Sequence, residues 1–171
     1  MTSRIRFNYL AKGVIIVLLF NSCNYSFTGA SISPEVQTVS IDYFNSVAPQ
    51  APPAIEQFFT EALREIFISQ TNLKLASNGV GDLHFEGKIT GYRSKAVSIS
   101  SDQIANAERL TITVRVRFIN SKEPKNNFDR SFSKYQDYDA SQNLQSIENE
   151  LIRDINQQLV QSIFDAAVSN W

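Results

Sequence analysis

Four basic residues, Lys88, Arg93, Arg115 and Arg117, combine type and spacing in a way that could do chemistry. Arg115 and Arg117 stand two apart in the run Arg109-Leu-Thr-Ile-Thr-Val-Arg-Val-Arg117, whose strict alternation is that of a strand, so both guanidinium groups project from one side of a sheet. Planar forks of that kind bind phosphate or carboxylate through paired hydrogen bonds. From Asp82 to Arg117 there are six basic residues (Lys88, Arg93, Lys95, Arg109, Arg115, Arg117) and four acidic ones (Asp82, Glu86, Asp102, Glu108), in a chain whose net charge is −1. The competing reading is structural: cross-strand ion pairs with Glu86, or charge that keeps a sheet face solvated.

Residues for catalysis are scarce, since the chain has one His and one Cys. His84 stands between Leu83 and Phe85 at a polar-face position and reads as a solvated strand residue rather than a general base. Gly79-Val80-Gly81 lacks the third glycine of a dinucleotide fingerprint, His84 standing in its place, and no Gly-Lys-Ser/Thr occurs. Asp137-Tyr138-Asp139 reads as a turn that caps the following helix rather than as a pair of metal ligands. A single Cys excludes a disulfide framework, and a single His leaves any zinc site to be built mostly from carboxylates. The expectation is a non-enzymatic protein with no catalytic residue, no metal and no cofactor. The balance of 16 Lys+Arg against 17 Asp+Glu argues against a nucleic-acid partner.

The N-terminus sets the compartment. Met1 to Lys12 carries Arg4, Arg6 and Lys12 with no acidic residue and precedes the apolar run Val14 to Phe20, the layout of a secretory signal peptide. Those apolar residues, at about 1.5 Å each, span only about 10 Å, roughly a third of a bilayer core. Phe20-Asn21-Ser22-Cys23 places a small residue directly before the sole Cys, as at a bacterial lipoprotein processing site, although Phe20 stands where Leu is usual. Residues 1–22 are then a leader, and residues 23–171 one domain, lipid-anchored at Cys23 by acyl chains that contribute about 0.8 kcal/mol per buried methylene. Without the three leader cations the domain holds 13 basic and 17 acidic side chains, a net −4. Tyr25-Ser-Phe-Thr28 alternates like a strand almost at once, so the tether is only about 7 Å at roughly 3.4 Å per residue. Asn24, not Asp, follows the Cys, which favours the inner leaflet of the outer membrane over retention at the inner one.

The elements that must position the basic residues follow from periodicity. Thr38 to Phe44 alternates with Val39, Ile41 and Tyr43 on one side, and Asn45 to Pro53 is a proline-rich connection. Ile55, Phe58, Phe59, Ala62, Leu63, Ile66 and Phe67 make a helical stripe behind Pro53. Leu83, Phe85, Gly87, Ile89 and Gly91 share one face of a strand, with His84, Glu86, Lys88, Thr90 and Tyr92 on the other; a bulge would let the pattern run on to Ile99. Ser100 to Ala107 is a hairpin loop, and the partner strand turns Leu110, Ile112, Val114, Val116 and Phe118 one way. Phe128 to Tyr135 is a further strand whose Arg130 and Lys134 suit a sheet edge. From Ser141 to Asn170, Leu144, Ile147, Leu151, Ile155, Leu159, Ile163 and Ala167 return to helical spacing. These elements predict an α+β, two-layer sandwich: a mostly antiparallel sheet of about four to five strands with two amphipathic helices on one face.

A lipidated Cys23 followed directly by Tyr25 to Gly29, the Val39-Ser-Ile41 strand, a helix, Leu83-His-Phe-Glu-Gly87-Lys-Ile-Thr-Gly91-Tyr92, Arg109-Leu-Thr-Ile-Thr-Val114 and a C-terminal helix closing on Trp171 resembles the LPS-assembly lipoprotein family, LptE, and most of all its Bacteroidetes-type branch. The resemblance implies a non-enzymatic outer-membrane lipoprotein on the periplasmic side that plugs an LptD-type β-barrel and takes part in inserting lipopolysaccharide or lipooligosaccharide into the outer leaflet. Binding of lipopolysaccharide by basic residues is also implied. Its placement on Arg115, Arg117, Lys88 and Arg93 comes from the charge concentration. The alternative is a stand-alone lipoprotein that carries a hydrophobic ligand between helix and sheet.

Overall fold

The computed structural model describes residues 32–76, 79–97 and 107–168. Cys23, the leader, the strand expected at residues 25–28, the hairpin loop expected from Ser100 and the terminal Trp171 lie outside the described residues. The order of elements is β1 (Thr38–Ile41), β2 (Asn45–Ser46), α1 (Ala54–Gln70), β3 (Lys74–Leu75), β4 (Leu83–Val97), β5 (Ala107–Asn120), a 3-10 turn (Pro124–Asn126), β6 (Phe128–Asp139) and α2 (Leu144–Val168).

Pro53 already holds helical angles (φ −55°, ψ −30°), so α1 starts at Ala54 without a side-chain cap. Its stripe is buried as the spacing predicts: Ile55, Phe59, Leu63, Ile66 and Phe67 are in the core, and Phe58 and Ala62 pack partly against it. Phe67 joins the two layers, its ring centroid 4.7 Å from Phe85 of β4 and 5.0 Å from Phe164 of α2. Both helices therefore cover the same sheet face, the one that carries Leu110, Ile112, Val114, Val116 and Phe118.

Among the described residues the sheet has six strands, in the order β3-β1-β4-β5-β6 with β2 beside β4. It is mixed: β4, β5 and β6 are antiparallel, whereas β1 pairs in parallel with β3 and β4, and β2 in parallel with β4. The expectation of a mostly antiparallel sheet of four to five strands needs this adjustment. The reason is that α1 carries the chain from β1 back over the sheet, so the returning strands run parallel to it. The two-residue strands β2 and β3 are too short to leave a periodic signal.

Several local assignments change. The strand expected from Thr38 to Phe44 ends at Ile41, so the alternation breaks and Phe44 is buried while Tyr43 is exposed. Pairing of β4 with β5 shifts between Ile89 and Gly91, so Thr90 is the extra residue of a bulge. That bulge moves Tyr92 from the polar face to the core face, where it is buried and its hydroxyl donates to Glu148 of α2. β6 runs on to Asp139, so Asp137 and Tyr138 are strand residues rather than a helix-capping turn. His84 is only 8% exposed, not a solvated side chain. β6 is an edge of the sheet, as Arg130 and Lys134 imply, and Arg130 lies over the rings of Phe128 and Phe132 at 4.6 and 5.0 Å. Among the described residues no helix is long and apolar enough to cross a membrane.

Candidate functional site

The sheet face turned away from the helices is where the chemistry-bearing side chains meet. Register sets them in rows across β4, β5 and β6: Lys95, Arg109 and Asp137; Arg93, Thr111 and Tyr135; Gly91, Thr113 and Ser133; Lys88, Arg115 and Ser131; Glu86, Arg117 and Asp129. Strict alternation in β5 puts Arg109, Thr111, Thr113, Arg115 and Arg117 all on this face because their neighbours are core residues. The bulge at Thr90 keeps Arg93 and Lys95 on it. Without that extra residue they would turn to the core side, since they and Lys88 have opposite parity in the sequence.

Of the four residues singled out from the sequence, the structure gathers all on one face and divides them into two kinds. Arg115 makes a two-pronged contact to Asp129, Nε to Oδ1 at 2.9 Å and Nη2 to Oδ2 at 3.2 Å, and Arg117 Nη1 donates to Glu86 Oε1 at 2.9 Å. The hydrogen bond from Arg115 holds the Asp129 carboxyl below its usual pKa and raises that of Arg115 in return. The cross-strand pairing with Glu86 weighed from the sequence is thus present. Lys88 and Arg93 have no ion-pair partner among the described residues, and both are exposed.

Sequence reasoning missed two members of the face. Arg109 makes a fork to Asp137 at 2.6 and 2.8 Å and stacks over Tyr135, 3.7 Å from the ring centroid. Lys95 is opposite Arg109 and has no ion-pair partner among the described residues. Their signal was the i, i+2 spacing from Arg93 to Lys95 and the start of the alternating run at Arg109, read as part of a charge count and not as positions on a face. Two shallow clefts mark the surface. One, of about 380 Å³, lies among Lys88, Arg115, Arg117, Glu86, Asp129 and Asp42; the other, of about 390 Å³, lies among Arg93, Gly91, Thr111, Thr113 and Ser133. Small residues in the middle row leave the floor low between two basic margins.

A face of this sort offers guanidinium and ammonium donors to an anion. The family comparison agrees with that chemistry: the LptE lipopolysaccharide-assembly family model matches residues 36–167. The chain belongs to the LptE family. LptE proteins form a non-enzymatic lipopolysaccharide-assembly lipoprotein family, so the chain's role lies in lipopolysaccharide assembly and not in catalysis. Among curated proteins none matches the sequence. Among solved structures, a protein from Xanthomonas campestris is similar at 11% identity, covering 78% of this chain and 84% of its own, with a TM-score of 0.52. A hypothetical protein from Chlamydia trachomatis is similar at 11% identity, covering 79% of this chain and 99% of its own, with a TM-score of 0.50. Rare lipoprotein B from Shewanella oneidensis is similar at 14% identity, covering 78% and 95%, with a TM-score of 0.45. At such identities the first two show a shared fold.

Proposed function

We propose that this LptE-family chain is an outer-membrane lipoprotein, with residues 1–22 as its leader and residues 23–171 anchored through Cys23 on the periplasmic side. In this reading it plugs an LptD-type β-barrel, and the pair inserts lipopolysaccharide or lipooligosaccharide into the outer leaflet. The observation that carries the reading is a pair of like-charged couples, Lys88 opposite Arg115 and Lys95 opposite Arg109, on a sheet face without a helix. Like charges set directly opposite each other cost stability, so their presence beside three arginine–carboxylate pairs fits a surface kept for an anionic partner. The mixed polar face with Thr111 and Thr113 also suits the wet interior of a large barrel. Arg115, Arg117, Lys88 and Arg93 then contact the phosphate or carboxylate groups of the lipid, the arginines exchanging Asp129 and Glu86 for ligand.

A mild-detergent pull-down of tagged protein from the native envelope, with Cys23→Ala as the anchor control, tests the partnership. Recovery of one large β-barrel in stoichiometric amount is the expected result. Recovery of the anchored lipoprotein alone would overturn it and turn attention to the stand-alone ligand carrier. That alternative calls for a pocket between helix and sheet; the cleft of about 620 Å³ lies instead along α1 and α2, where Phe58, Ala62, Ile68 and Leu75 are mixed with Glu61, Arg64, Glu65 and Arg153. Lipopolysaccharide capture by the Lys88→Ala/Arg93→Ala and Arg115→Ala/Arg117→Ala variants tests the face. Each pair should weaken capture at least several-fold, and unchanged capture in both would remove the assignment.

A further inference from the structure

His84, the chain's one histidine, sits at the margin of the basic face and has no part in the lipopolysaccharide reading. Parallel pairing aligns Ser40 with His84 and brings Asp42, whose N–H donates to the Phe85 carbonyl, beside Glu86. Ser40 and Asp42 alternate with core residues of β1, and His84 and Glu86 with core residues of β4, so all four side chains rise from the same face. His84 Nε2 lies 3.7 Å from Asp42 Oδ2 and 3.9 Å from Glu86 Oε2, and the three ligand atoms are all within 4.8 Å of one another.

We propose that His84, Asp42 and Glu86 bind a first-row divalent cation of the zinc class. Bonds of about 2.1 Å to nitrogen and oxygen separate the ligand atoms of one ion by about 3–4 Å, so closing this cluster on an ion takes shifts of under about an ångström. Three features make it more than a group of carboxylates. The His84 side chain is largely buried, 11% exposed, and its Nε2 faces the two carboxylates at 3.7 and 3.9 Å without a hydrogen bond among the described residues. Its other nitrogen, Nδ1, is 2.8 Å from Ser40 Oγ, and that hydroxyl accepts from Gly81 N–H at 2.9 Å and reaches the Leu83 carbonyl at 3.4 Å. With an ion on Nε2, Nδ1–H donates to Ser40, and Ser40 donates to Leu83; every group in the chain is satisfied, as in the outer shell of metal-binding histidines.

The third feature is the division of labour on Glu86. Arg117 holds Oε1 at 2.9 Å, which fixes the carboxylate and leaves Oε2 for the cation. One imidazole with two carboxylates and open positions favours zinc, manganese or iron(II) over magnesium and calcium, which take oxygen donors only. Asp42 and Glu86 also wall the cleft that holds Lys88, Arg115, Arg117 and Asp129. The formal charges of those six residues cancel, so a bound divalent ion would leave that cleft doubly positive. The inference does not depend on the barrel or lipid reading.

The test is a zinc titration of the full chain, purified in detergent, followed by calorimetry and by the ring nitrogen resonances of its single imidazole. One equivalent of zinc should bind and shift the Nε2 resonance. Ser40→Ala should weaken binding about 10–100-fold by releasing the ring, and Asp42→Asn, at an exposed position that leaves the fold intact, at least tenfold. Zinc that binds without moving the His84 resonance, or that binds Asp42→Asn as tightly as wild type, would overturn the proposal, as would no binding at all.

Discussion

Asp82 gathers three hydrogen bonds on one oxygen: the N–H groups of Gln37 and Thr38, each at 3.0 Å, and the Thr38 hydroxyl at 2.8 Å. The Gln37 backbone bond, followed by the Thr38 hydroxyl, brings its pKa down to about 2 from 3.8. Because the folded value is the lower one, the stabilisation is complete above pH 3.8 and is lost as pH falls through about 2. Asp82→Asn should therefore cost about 2 kcal/mol at neutral pH, with the gap from wild type narrowing through the acid limb of a circular-dichroism titration. Gly87 is a second residue of this kind. A Cβ there would lie 2.1 Å from the Arg115 carbonyl oxygen and 2.6 Å from the Phe44 ring, so Gly87→Ala should cost about 3 kcal/mol in a thermal melt. At Gly91 the nearest atom is 3.0 Å away on the Thr113 side chain, which can give, so Gly91→Ala should cost less. The sequence puts both glycines in one alternating strand and does not distinguish them, because the difference is set by Phe44, which sits beyond β1, and by β5.

Among the elements, α1 was the most legible and the sheet edges the least. Its stripe of threes and fours survives folding unchanged because a helix's burial pattern is fixed by its own geometry. Phe67→Ala, which would remove the ring wedged between Phe85 and Phe164, should destabilise by about 3–5 kcal/mol in urea unfolding. α2 shows one flaw in an otherwise regular stripe. Asn156 is 1% exposed, and neither its Oδ1 nor its Nδ2 has a hydrogen-bond partner among the described residues. Replacing it with an apolar side chain of similar size removes that desolvation cost, so Asn156→Leu should raise stability by about 1 kcal/mol, read from the urea midpoint. A fall instead would mean that the amide has a partner at the cleft between the helices. In β4 the bulge at Thr90 was anticipated as a possibility, but its position was not. Alternation alone cannot place a bulge, and so Tyr92 was assigned to the wrong face.

For the molecule as a whole, the basic face is an exposed network. The Arg115 and Arg117 side chains are 58% and 60% accessible, so their ion pairs carry little stability. Arg115→Ala/Arg117→Ala should leave the melting temperature where it is while reducing lipopolysaccharide capture and its salt dependence; a parallel loss of melting temperature would mark the arginines as structural. The edge of β4 residues 91–97 turned away from β5 and the outer edge of β6 have no strand partner among the described residues, and Arg93, Lys95, Arg130 and Lys134 stand on those stretches, where charge discourages unwanted pairing. The sequence by itself determined the two helices, the alternation of β4 and β5, the concentration of basic residues there and the scarcity of catalytic groups, because each is a property of one segment and its period. Only the tertiary structure decided that β1 runs parallel to β4, that Arg115 and Arg117 are paired with Asp129 and Glu86 while Lys88, Arg93 and Lys95 have no ion-pair partner among the described residues, and that Ser40 and Asp42 stand beside His84. Each of these depends on strand order and register between segments about 15 to 45 residues apart, which no local period encodes.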